Sequence, residues 1–149
     1  METTALVGAG MVLLLTVGVG IVAHELSHAA VLYLLGIECD IAIGPSEIEA
    51  GQFGATISGA WAAVTPQGIS PGTPPWAMRL SSIAPLLLAL PFVTIAAGIA
   101  PDPLQAGNPL LIAVTIGWLA CAIPSPQDFS VFWHAEQAIA EHAAESFDG

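Results

Sequence analysis

Basic side chains are almost missing from this chain of 149 residues: Arg79 is the one Lys or Arg against twelve Asp and Glu, for a formal charge of -11. That balance excludes nucleic acid as a partner, because phosphate binding is carried by Lys and Arg. It equally disfavours attachment to an anionic membrane surface. Acid excess of this kind suits concentrated salt, where screening shortens the reach of self-repulsion, so a halophilic source is expected. A single Arg is too little to fix a membrane orientation. Cysteine is nearly as scarce. Cys39 and Cys121 form neither a CxxC pair nor a disulfide framework and are expected as buried thiols. The start, METTALVGAG, has no positive n-region, so the apolar run behind it reads as a retained helix rather than a cleaved signal. Internal repeats and low-complexity tracts are absent.

Apolar residues fill the space that charge leaves, at 55% of the chain. Ala5 to Ala23 and Leu80 to Ala100 carry no charge, and each is about the ~20 residues that a membrane-spanning helix requires. Leu110 to Ile123 is shorter and spans only if its flanks continue the helix. The expected fold is therefore an α-helical integral membrane protein, a single unit over residues 1–149 with about three transmembrane helices. The first helix is placed at 5–36 with Gly36 as its stop, and Gly8, Gly10, Gly18 and Gly20 offer small surfaces for helix packing. A β and loop segment follows at 37–76, where IECDIAI and FGATISGAW alternate like short strands, giving a small surface hairpin or sheet. Helices are placed at 78–100, kinked by Pro85 and Pro91, and at 109–123. An amphipathic tail helix at 129–147 carries Phe132, Ala135, Ile139 and Ala143 at helical spacing.

The first helix contains HELSH at positions 24 to 28. Histidines four residues apart project from one helix face, so both imidazoles can reach one tetrahedral Zn²⁺ at about 2.0 to 2.1 Å. The adjoining Glu25 can take a proton from a water on that metal and return it to a leaving amine. Ionisable residues within an apolar membrane helix cost several kcal/mol, so three of them in five positions call for a function. Their alternative place is a solvated helix end, but apolar AAVLYLL follows directly. A catalytic zinc usually takes three protein ligands plus water, so a third must come from another element. Asp128, His134, Glu136 and His142 are candidates, with Asp102 in its loop. Asp128 is preferred because it follows the proline-marked break PSPQD, where unwound backbone can aim a carboxylate inward.

HELSHAA in a membrane helix, then GI, a GP turn at Gly44 and Pro45, and an apolar helix running into AIPSPQD together resemble the site-2 protease family of intramembrane zinc metalloproteases. The resemblance spans roughly Val17 to Phe132. It implies a three-helix core, His24, His28 and Asp128 as zinc ligands, Glu25 as the base, and hydrolysis of peptide bonds in or near transmembrane segments of a membrane-protein substrate. The sequence departs from the family at Phe129, where Gly usually follows the Asp, and lacks the usual Asn before the prolines. Such a substrate must unwind to expose its scissile carbonyl, and strand addition at Ile41 to Ile43 or Gln52 to Ser58 is one way to hold it extended. Three spans leave a cleft open to lipid unless a partner or a second copy, a homo-oligomer, seals it. Two other readings use the same residues: a membrane metal-binding or transport protein without protease activity, and an inactive protease-like scaffold.

Overall fold

The computed structural model describes residues 3–43, 62–67, 69, 72–105 and 107–145. Six α-helices and a two-stranded sheet appear among them: α1 Thr3–Leu34, β1 Cys39–Ile43, β2 Ala62–Pro66, α2 Pro75–Ser82, α3 Leu90–Ala96, α4 Pro109–Ala122, α5 Pro126–Trp133 and α6 Ala135–Glu145. A 3₁₀ segment, Ala84–Ala89, lies between α2 and α3. Three helical stretches are long and apolar enough to cross a membrane: Thr3–Leu34, Pro75–Ala96 and Pro109–Trp133. The expected helical class, span number and sheet position are all present.

The chain divides into two compact units, Met1–His24 with Pro85–Ile123, and Glu25–Ala84 with Pro124–Gly149. In the first, α1 presents Leu6, Val7, Met11, Leu14, Leu15 and Val19 outward, as a lipid-facing helix does. Its inner side meets α4 at small residues. A Cβ on Gly20 would lie 2.6 Å from Cys121 Sγ, and one on Gly117 would lie 3.1 Å from Leu13 and 3.3 Å from Thr16. Close approach of this kind is how membrane helices gain packing without a hydrophobic driving force. A Cβ on Gly8 would make only an ordinary contact with Leu110, whereas Gly10 and Gly18 face open space.

The second unit has a core of Leu32, Ile69, Met78, Ala135 and Ile139, with Ile37, Cys39, Val64 and Val131 packed against it. Here α1 ends in a Schellman motif: Gly36 takes φ +72°, the Ile37 N–H bonds Leu32 O at 2.9 Å and the Gly36 N–H bonds Tyr33 O at 3.0 Å. The turn delivers the chain into β1, which pairs antiparallel with β2 in the register Cys39↔Pro66, Ile41↔Val64, Ile43↔Ala62. The predicted strand FGATISGAW, the segment Gln52 to Ser58 and the Gly44–Pro45 turn lie outside the described residues.

Three expectations need correction. The second span is not one kinked helix over 78–100. It begins at Pro75 and is divided by Pro85 and Pro91 into α2, a 3₁₀ segment and α3, because neither proline can donate to the helical ladder. The tail is not one helix over 129–147 either: α5 starts at Pro126, and His134 closes it before α6 begins. Both Cys residues are free thiols, but Cys39 is only half-buried while Cys121 is buried.

Candidate metal centre

α1 is continuous through HELSH, so His24 and His28 lie one turn apart on one face. Each imidazole is anchored through Nδ1. His24 Nδ1 lies 2.7 Å from Cys121 O, and His28 Nδ1 lies 2.7 Å from Ser81 O. A carbonyl can only accept, so Nδ1 carries the proton in both rings, and in the neutral ring Nε2 holds the lone pair. This is the arrangement in which a metal-ligating His donates its other ring N–H to a fixed acceptor.

Asp128 sits at N3 of α5 in a capping box with Ser125. Its backbone N–H reaches Ser125 Oγ at 3.2 Å, and its Oδ2 accepts the Ser125 N–H at 2.6 Å. The carboxylate is thereby held in one orientation, with Oδ1 3.2 Å from His28 Nε2. The Asp belongs to a regular helical turn, not to the unwound backbone expected for it, and its aim comes from the cap. Side-chain exposures of 10% for His28 and 15% for Asp128 put the contact out of bulk water.

Two acceptors facing each other at this distance repel unless a proton or a metal cation stands between them. The ligand-capable atoms of His24, His28 and Asp128 all lie within 4.8 Å of one another. In a tetrahedral site with bonds of about 2.0 to 2.1 Å, ligand atoms lie about 3.3 Å apart, close to the His28–Asp128 separation. Two imidazole nitrogens and one carboxylate oxygen also match the ligand set of catalytic zinc in hydrolases, so the residues fit the metal. Glu25, half-buried, follows His24 on α1.

The other predicted ligands fall elsewhere. His134 is exposed where α5 ends. Glu136 is exposed and meets Arg79 Nη2 at 3.6 Å. Asp102 accepts from Leu104 N at 2.8 Å and Gln105 Nε2 at 3.1 Å in its own loop. The His142 side chain lies outside the described residues. Sequence reasoning did not single out Ser81 or Ser125. Ser125 was within reach, since Ser-x-x-Asp ahead of an apolar stretch is a capping-box spacing. The Ser81 carbonyl has no side-chain signature.

A groove of about 630 Å³ in the second unit is lined by Leu26, Ala29, Ala30 and Tyr33 of α1 and by Cys39, Asp40 and Ile41 of β1. Leu26 and Ala30 each lie about 160° around the helix from His28, so this groove is on the opposite side of α1 from the ligands. The β1 edge at the groove is therefore turned away from the metal centre. No family model matches this chain, and no curated protein or solved structure is significantly similar to it.

Proposed function

We propose that this chain is a multi-pass membrane zinc endopeptidase that hydrolyses peptide bonds in or near transmembrane segments. One observation carries the reading: His28 Nε2 and Asp128 Oδ1 face each other at 3.2 Å, each fixed from behind by a backbone hydrogen bond. With His24, one turn along, the chain would supply three protein ligands, the number that a catalytic zinc usually takes beside water. Zinc held there would supply Lewis acidity, polarising a carbonyl and lowering the pKa of a water to about 7.

The remaining chemistry belongs to the chain. Glu25 accepts a proton from the attacking water and delivers it to the departing amine nitrogen, so the peptide leaves as a neutral amine. With Nδ1 anchored on a backbone carbonyl, each imidazole offers Nε2 as the atom that would bind the metal. Side-chain exposures of 10% for His28 and 15% for Asp128 limit water at these two residues, which strengthens charge interactions between them.

A metal carrier could use the same three ligands, but it has no need of Glu25. The test is therefore Glu25→Gln in detergent-purified protein, with zinc content measured beside cleavage of a fluorogenic apolar peptide of about 20 residues carrying a central Gly-Pro break. A peptidase keeps its zinc and loses cleavage. Unchanged cleavage, or cleavage absent from the wild type across a panel of such peptides, contradicts the proposal.

A further inference from the structure

The Ser81 carbonyl that anchors His28 lies in the last turn of α2. In a continuing α-helix it would accept the N–H of the residue four positions on. That residue is Pro85, which has no N–H. Pro85 is also the largest fully buried side chain among the described residues and Ser81 is 5% exposed, so solvent does not stand in for the missing donor. Ser81 O instead takes the Ile83 N–H at the helix cap and His28 Nδ1 at 2.7 Å.

At the other histidine the helical donor is present but directed elsewhere. Cys121 O would take the N–H of Ser125 if α4 continued, but α4 stops at Ala122 ahead of Pro124, and the Ser125 N–H goes to Asp128 Oδ2 at 2.6 Å. Cys121 O is then available to His24 Nδ1. A third unmatched carbonyl lies away from the ligands. In the 3₁₀ segment, Leu88 O would pair with residue 91, which is Pro91, and Trp118 Nε1 takes that carbonyl at 2.9 Å.

We propose that Pro85 is a positioning residue of the metal centre: by withholding a backbone donor it keeps the Ser81 carbonyl open to His28 Nδ1–H and so fixes Nε2 as the ligand atom. The inference rests on the reading of His28 as a metal ligand. Any residue that restores an N–H at position 85 lets the helical ladder compete for Ser81 O, and the ring then loses its fixed tautomer and orientation.

The experiment has two parts, both on the full chain in detergent. Long-range ¹H–¹⁵N spectra of metal-free wild type are expected to show His28 with the proton on Nδ1; an Nε2–H tautomer overturns the proposal. Zinc dissociation constants are then measured by chelator competition for wild type, Pro85→Ala, Pro85→Leu and Pro91→Ala. Both substitutions at 85 restore the N–H, one leaving a cavity and one filling it, and both are expected to weaken zinc about 10- to 100-fold, the usual cost of losing a partner behind a metal ligand. Pro91→Ala is expected to alter Trp118 emission and leave zinc within about twofold, since its carbonyl serves no ligand. Weakening by Pro85→Ala alone means lost packing, and that result overturns the inference, as does wild-type affinity in both. Wild type that holds no zinc overturns the underlying reading of the site, while the tautomer still decides how His28 is held.

Discussion

Two charged contacts in the second unit differ in nearly every respect that matters. His28 meets Asp128 at 3.2 Å with side chains 10% and 15% exposed, while Arg79 meets Glu136 at 3.6 Å with side chains 42% and 75% exposed. The first pair is held from behind, by Ser81 O on the imidazole and by the Ser125 N–H on the carboxylate. The second has one such hold, Arg79 Nε donating to Phe132 O at 3.2 Å, and Glu136 sits in the first turn of α6 facing solvent. A solvated ion pair gains little, because water competes for both partners and two long side chains must be ordered. A buried, pre-oriented pair of acceptors is costly to assemble unless a proton or a metal cation stands between them. The contrast separates a buried, pre-oriented pair that a proton or a metal cation can bridge from a solvent-exposed contact.

The sharpest way to break this comparison is to remove either member of the buried pair. His28→Ala and Asp128→Ala are each expected to abolish stoichiometric zinc binding and peptide cleavage together, read by metal analysis and by the fluorogenic assay. Glu25→Gln comes next, with zinc retained and cleavage reduced about 10²- to 10⁴-fold, the usual range for a lost acid–base group. Ser125→Ala removes the hydroxyl of the capping box, which should cost about 1 kcal/mol of helix stability and loosen Asp128. Its zinc affinity is expected to fall measurably while cleavage at saturating zinc persists. Glu136→Ala, at the exposed contact, is expected to change thermal stability by no more than about 0.5 kcal/mol and to leave zinc untouched. An effect of Glu136→Ala on zinc as large as that of Asp128→Ala would erase the distinction drawn between the two contacts.

Much of this was legible in the residues. Uncharged runs mark the spans, Gly36 marks the end of α1, and the spacing within HELSH puts two imidazoles on one helix face. The proline break ahead of Asp128 sets it apart from His134 and Glu136 in the sequence, and the structure adds that Asp128 is half-buried while the other two are exposed. The prolines were read as kinks, whereas Pro85 and Pro91 recast the second span into three segments. Their effect depends on what else can reach the carbonyls they leave unmatched, and that is a tertiary property. The anchors of both imidazoles are backbone oxygens, which every residue possesses; Pro85 marks the Ser81 carbonyl as unmatched in a helix, but nothing in the sequence says which side chain reaches it. The tail divided at His134 because α5 ends there, although the apolar spacing of Ala135 and Ile139 continues on α6 and reaches the core as expected.

The central claim, that His24, His28 and Asp128 form a metal centre, is tested most directly by zinc per chain in detergent-purified wild type beside His24→Ala, Asp128→Ala and His134→Ala prepared identically. The account predicts about one zinc in wild type and in His134→Ala, and almost none in the other two. Well-folded wild type without zinc, or zinc lost with His134→Ala and kept with Asp128→Ala, would contradict it.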